Sequence, residues 1–149
     1  MTTAIHLAGP DDAARVQALM QRSHEERDLP FDDAHREKVV VPLLQGSPLA
    51  AVWLIGPARA PLGYVLISFG WSVTLGGMTG WVEDIFIRPS VRHRGIGKEV
   101  LHAVALALGQ ADLRALHARI PDGDDALAQF CAKAGFGRDE MQRVMTDML

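Results

Sequence analysis

Cysteine is nearly absent from this chain, with Cys131 alone among 149 residues. A single thiol excludes an internal disulfide framework and a thiolate zinc cage, and it fits a reducing compartment. A basic excess is also missing: 15 Lys plus Arg stand against 18 Asp plus Glu, a formal charge of -3. A dedicated nucleic-acid binder usually shows the opposite balance, so no nucleic-acid partner is expected. No run of about 20 apolar residues is available to span a bilayer, and Met1-Thr2-Thr3-Ala4-Ile5-His6 lacks the layout of a signal peptide. A soluble cytoplasmic protein with no membrane partner is therefore expected. None of the six histidines has metal-ligand spacing, and no metal is assigned. Repeats and low-complexity tracts are absent, and the length suits one domain spanning 1–149.

What is present is a sequence of periodic segments. Ile5 and Leu7 flank polar His6 in a short strand, ended by Gly9-Pro10-Asp11-Asp12, and Ala13, Val16, Leu19 and Met20 then form the apolar face of a helix. The polar run Glu25 to Asp33, broken by Pro30, predicts a loop, followed by a second helix that Pro42 disturbs. Ala50 to Ile55, Gly63 to Phe69 and Trp81 to Arg88 predict an antiparallel meander. Ile96, Val100, Leu101, Val104 and Leu108 recur at helical spacing up to Gly109. Leu113 to Ile120 predicts a strand, Asp124 to Lys133 a short helix, and Phe136 with Val144 to Met148 a closing hairpin. The order β-α-α-β-β-β-α-β-α-β-β defines an α+β domain.

The chemistry concentrates between Glu83 and Lys98. There a strand, Glu83-Asp84-Ile85-Phe86-Ile87-Arg88, runs into the turn Arg92-His93-Arg94-Gly95-Ile96-Gly97-Lys98, which opens a helix. Such a turn aims unpaired backbone N–H groups outward at the positive end of a helix dipole. Glycines at 95 and 97 would let a pyrophosphate approach the backbone, and Arg92, Arg94 and Lys98 add positive charge. A Walker loop is excluded, because no Gly-Lys-Ser or Gly-Lys-Thr occurs at the required spacing. The dinucleotide fingerprint Gly-x-Gly-x-x-Gly fails at Val100.

This stretch resembles the GCN5-related N-acetyltransferase (GNAT) family, whose signature is Arg or Gln, two residues, Gly, one residue, then Gly or Ala. Arg92-His93-Arg94-Gly95-Ile96-Gly97 fits it, and the acidic-apolar strand before it and Gly135-Phe136 near the end occupy the family's places. The resemblance implies the GNAT fold, a mostly antiparallel mixed sheet splayed at the cofactor site and flanked by about four helices. It implies an enzyme that moves acetyl from acetyl-CoA to a primary amine of a small molecule or peptide. The backbone of Ile85, Phe86 and Ile87 would pair with the pantetheine amides, and the turn from His93 to Lys98, with Arg92 beside it, would hold the pyrophosphate. It also allows a homodimer, a state common among similar proteins.

The resemblance also frames the catalytic candidates. An alkylammonium with a pKa of about 10 must lose a proton before it can attack a thioester, so a carboxylate is useful. Glu83 and Asp84 are adjacent on a strand, which would send their side chains to opposite faces and leave at most one in the cleft. By analogy with polyamine-acetylating relatives Glu83 is the favoured base, ahead of Asp84, while a purely solvated or amine-holding role stays open for both. Similar enzymes often use a Tyr on the last helix to protonate the departing thiol. Here Phe130-Cys131 stands in that place, so Cys131 is the residual acid candidate or simply a packing residue, and the only tyrosine, Tyr64, lies in another strand. The acidic loop Glu25 to Asp33 would attract a cationic acceptor or be an ordinary solvated connector. Phe31, Trp71 and Trp81 would line the acceptor site or belong to the core. Two other readings stay open: a non-catalytic acyl-CoA sensor or interaction domain, and a basic patch of Arg88, Arg92, His93 and Arg94 for nucleic acid.

Overall fold

The computed structural model describes residues 3–149. One five-stranded sheet, in the order β1-β2-β3-β4-β5, organises the chain. Strands β1 (Ile5–Leu7), β2 (Ala50–Ile55), β3 (Gly63–Ser72) and β4 (Gly77–Ile87) are joined antiparallel, whereas β5 (Ala115–Ala118) lies parallel to β4. A parallel neighbour needs a crossover, and α3 (Ile96–Gln110) supplies it. Helices α1 (Ala13–Glu26) and α2 (Asp33–Leu44) intervene between β1 and β2, and α4 (Asp125–Lys133) follows β5.

Strand alternation sorts the core into two layers. Val52 and Leu54 of β2, Tyr64 and Leu66 of β3 and Phe86 of β4 pack under Val16, Leu19 and Met20 of α1 and Val40 and Leu44 of α2. Their neighbours Ile55, Val65 and Ile67 face the other way, against Val100, Leu101, Val104 and Leu108 of α3. Ile85 and Ile87 of β4 join this second layer, with Phe130 of α4. Removing these side chains from water on both faces is the main stabilising term.

The structure corrects the sequence reading at three places. Helix α2 runs through Pro42 to Leu44, because a proline this near the C-terminal end forfeits one helical bond while Leu44 is buried in the first layer. The hairpin of β3 and β4 is longer than the apolar runs suggested, since Trp71 pairs with Met78 and Ser72 with Gly77 beyond the core. The expected closing hairpin does not form among the described residues: no strand follows α4, and Met141, Val144, Met145 and Met148 are exposed. Among the described residues, no helix is long and apolar enough to cross a membrane.

Gly63 pairs with Ile87, and there β3 and β4 come so close that a Cβ on Gly63 would meet the Phe86 carbonyl oxygen at 2.0 Å. Gly63→Ala should cost about 3 kcal/mol through overpacking against backbone that cannot give way. Gly109, inside α3 with open space around it, should gain up to about 1 kcal/mol as Ala from helix propensity. Urea unfolding midpoints of the two variants check both signs.

Candidate active site

The sheet opens beside β4. Pairing of β4 with β5 runs from Thr79–Ala115 to Val82–Ala118 and stops, while β4 itself continues to Ile87. The backbone from Glu83 to Ile87 therefore has β3 on one side and a gap on the other. Ile85, Phe86 and Ile87 line this edge through their main chain; the Phe86 side chain is buried in the first core layer and Ile85 and Ile87 pack in the second.

At the end of β4 the chain passes through a 3-10 turn, Pro89–Val91, into the α3 turn. His93 (φ 63°) and Gly95 (φ 77°) both adopt left-handed backbone, a conformation uncommon for a residue with a side chain. The first bond of α3 runs from the Glu99 amide to the Gly95 carbonyl at 3.0 Å. No side chain caps the helix, and among the described residues the amides of Ile96, Gly97 and Lys98 have no partner. Left-handed turns ahead of open amides make an anion-binding concavity, and the exposed Arg94 and Lys98 stand on it. The two glycines differ in their work. A Cβ on Gly95 would meet nothing within 4 Å, whereas on Gly97 it would strike the Phe130 ring at 2.8 Å and Ile87 Cδ1 at 3.0 Å. Gly97 thus seats α3 on β4 and α4. Arg92 is also engaged elsewhere: Nε donates to the Ile87 carbonyl (2.7 Å), and Nη1 and Nη2 donate to the two carboxylate oxygens of Glu26 (2.6 and 2.7 Å). That pairing holds the Glu26 carboxyl below its usual range.

The adjacent carboxylates overturn the opposite-faces expectation. Leu66 pairs with Asp84 but the next residue of β3, Ile67, pairs with Val82, so Glu83 is the extra residue of a β-bulge. Alternation resets there: Val82 lies in the α3 layer with Ile85, and Glu83 and Asp84 line one cavity on the α1–α2 side. Ser68 Oγ donates to Glu83 Oε1 (2.6 Å), and Arg119 Nη1 donates to the same oxygen (3.2 Å) while its guanidinium lies 4.1 Å over Trp81. Among the described residues, Glu83 Oε2 has no partner. Both oxygens of Asp84 are engaged, Oδ2 by the Tyr64 hydroxyl at 2.5 Å and Oδ1 by Arg27 at 3.3 Å. Burial, then the negative charge of Asp84, pushes the Tyr64 hydroxyl far above its ordinary pKa, so it remains a proton donor to Asp84.

The cavity, about 400 Å³, is walled by Met20 and His24 of α1, His35, Val39 and Leu43 of α2, and Leu49, Ala50 and Leu66, with Ser68, Glu83 and Asp84 on the sheet. The buried Arg36 ties the connection between α1 and α2 together: Nη1 donates to the Phe31 carbonyl (2.8 Å) and faces His24 Nδ1 (3.2 Å), and Nη2 donates to Asp33 (2.7 Å). A guanidinium only donates, so His24 Nδ1 accepts and the neutral imidazole carries its proton on Nε2. Phe31 stacks on His35 at 4.2 Å and meets His24 at 5.0 Å. The acidic segment is partly engaged: Asp32 caps α2 through the His35 amide, Asp33 holds Arg36, and Glu26, which closes α1 instead of opening a loop, holds Arg92. Trp71 is exposed near the tip of the β3–β4 hairpin, and Trp81 lies tilted against His117, ring centroids 4.5 Å apart. Cys131 is buried in α4, and burial followed by the charge of Asp124 raises its thiol pKa.

The residues unnoticed in the sequence are His24, Arg36 and Arg119. His24 repeats the spacing Val16, Met20, His24 on the buried face of α1, a visible signal of burial. Arg119 follows from register, since Val82–Ala118 is the last pair and Glu83 and Arg119 come next. Arg36 follows Asp33 at the i,i+3 spacing of a helical ion pair, a signal of that contact but not of its burial.

The family model for the acetyltransferase (GNAT) family matches residues 13–136, and the chain belongs to that family. Among solved structures, an integron cassette protein from the mobile metagenome of Cole Harbour salt marsh is 25% identical, with a TM-score of 0.83 over 97% of this chain and 90% of that one. A predicted acetyltransferase from Clostridium acetobutylicum, solved with acetyl-CoA, is 14% identical with a TM-score of 0.77 over 97% and 96%. An aminoglycoside acetyltransferase from an uncultured soil metagenomic sample, solved with sisomicin, is 14% identical with a TM-score of 0.79 over 99% and 96%. The last two show the shared fold. No curated protein matches the chain in sequence.

Burial, the largest cause, lowers the His24 pKa below 6.5, outweighing the nearby Asp84 charge. A depressed folded-state pKa means that the unfolded chain binds the proton first, so stability is complete above pH about 6.5 and is lost as pH falls toward the folded value. Thermal midpoints measured from pH 7.5 to 5 should decline in the wild type and decline less steeply in His24→Gln.

Proposed function

We propose that this acetyltransferase uses Glu83 to take the proton from a primary amine that attacks acetyl-CoA at the gap beside β4. The observation that carries the assignment is the bulge: it sets Glu83 on the acceptor-cavity side, at the residue where β5 leaves β4, with one carboxylate oxygen free among the described residues. Acetyl-CoA supplies the acetyl group as a thioester already activated for attack. Main-chain groups of Ile85, Phe86 and Ile87 hold its pantetheine arm, and the His93–Lys98 turn, with Arg94 and Lys98, holds the pyrophosphate. Arg92 acts by fixing that turn through Ile87 and Glu26. Main-chain N–H groups at the opened edge polarise the thioester carbonyl. Asp84, tied to Tyr64 and Arg27, positions the base and the amine.

The test is a pH–rate profile on an amine panel read by coenzyme A thiol release. Glu83→Gln should lower kcat/KM by about 10²- to 10⁴-fold below the amine pKa and converge toward wild type above it. An unchanged profile removes Glu83 from the base role; loss of the pH dependence in Asp84→Asn alone transfers it to Asp84. Wild type inactive with every amine, yet binding acetyl-CoA, identifies a sensor instead.

Cys131 keeps its proton in a buried site, and an alkyl thiolate leaves without help from the protein, taking its proton from water. Cys131→Ala should therefore hold kcat within about threefold, against the 10²-fold loss expected for a true acid. A hundredfold drop at unchanged acetyl-CoA affinity makes Cys131 the acid.

A further inference from the structure

The cavity above the two carboxylates has a marked division of character. Apart from the imidazoles of His24 and His35, its wall is apolar, made by Met20 of α1, Val39 and Leu43 of α2, and Leu49 and Leu66, while its carboxylates and hydroxyl gather on the sheet at Ser68, Glu83 and Asp84. Leu49 stands 68% exposed at the rim, large apolar surface that an occupant would cover. The size, about 400 Å³, is that of a small-molecule site.

The charges allow one ammonium and little more. Each carboxylate already faces a guanidinium, Asp84 that of Arg27 at 3.3 Å and Glu83 that of Arg119 at 3.2 Å. Of the acids in the neighbouring segment, Glu26 is paired with Arg92 and Asp33 with Arg36, Glu25 meets Gln21, Asp32 caps α2 and Asp28 has no side-chain partner among the described residues, but none of the five lines the cavity. A polycation entering here would set its further ammonium groups against leucine and methionine, or near Arg27 and Arg119, because Glu83 and Asp84 are the only carboxylates among the cavity-lining residues.

We infer that the acceptor is a primary monoamine borne on an apolar body, aromatic or branched aliphatic, and not a polyamine or an aminoglycoside. The inference rests on the acetyl-transfer reading above. The ammonium sits at the Glu83–Asp84 edge, and the body lies along Val39, Leu43 and Leu49. Burying the body gives selectivity because each methylene matched to an apolar wall is worth about tenfold or more.

The experiment compares kcat/KM for phenylethylamine, spermidine and kanamycin, and measures binding of the same amines to the coenzyme A-loaded protein by calorimetry. Wild type is set beside Leu43→Glu and Leu49→Glu; the second lies at an exposed position and tolerates charge without loss of fold. Phenylethylamine should exceed both polycations by at least about tenfold, and each variant should lower that ratio about tenfold while leaving acetyl-CoA affinity unchanged. A preference for spermidine or kanamycin, or a ratio untouched in both folded variants, overturns the inference and leaves amine acetylation standing. Phenylethylamine that binds, weakens in both variants, but is not acetylated supports the pocket assignment and sinks the acetyl-transfer reading. Failure of phenylethylamine to bind overturns the pocket assignment.

Discussion

One extra residue in β4 sets the geometry on which the rest depends. A regular strand would place Glu83 under α3 and Asp84 under α1 and α2; the bulge between the Asp84–Leu66 and Val82–Ile67 pairs moves Glu83 to the side of Asp84. A bulge gives up local pairing and bends its strand. Here it falls where β5 stops following β4, at Val82–Ala118. The loss of pairing, the opening of the sheet and the convergence of two carboxylates thus occupy the same few residues. Val82 and Ile85 keep the α3 layer apolar on either side of the irregularity, so the core continues across it.

Two carboxylates side by side repel each other, and the surroundings answer that with a guanidinium for each. Arg27 and Arg119 are about half exposed, where ion pairs contribute little to stability. Their significance lies in charge balance at the cavity floor, since they leave the site close to neutral until an amine arrives. The buried Arg36 differs in kind. It satisfies the Phe31 carbonyl, His24 Nδ1 and Asp33 together, and removing it would orphan polar groups behind the cavity wall. Stability and substrate charge are thus handled by different arginines.

The periodic parts of the fold were legible in the sequence. Val52, Leu54, Val65 and Ile67 mark strands, Val100, Leu101, Val104 and Leu108 mark a helix, and these patterns report burial directly. The bulge was written less openly. Val82 and Ile85, both apolar and three apart, cannot share a face of a regular strand, and the pair of acids between them was the trace of an inserted residue. The guanidiniums beside the two carboxylates were illegible because their partners are chosen by tertiary approach: Arg27 and Asp84 are 57 residues apart in sequence, and Glu83 and Arg119 are 36 apart. The closing hairpin failed for a related reason. Val144 to Met148 is apolar enough for a strand, but strand character in a short apolar run depends on a neighbour to pair with.

The C-terminal end of α1 is where the two halves of the site meet. Its last residue, Glu26, holds Arg92, whose Nε reaches the Ile87 carbonyl at the end of β4 and so steadies the approach to the α3 turn. The next residue, Arg27, donates to Ser23 and to Asp84, and His24, one helical turn inside, forms cavity wall. One helix end therefore touches the anion turn, the carboxylate pair and the apolar pocket through three neighbouring side chains. Helix geometry keeps such side chains in fixed mutual positions. A displacement of α1 against the sheet would accordingly disturb all three contacts together, whereas movement of the exposed segment after α4 would disturb none of them.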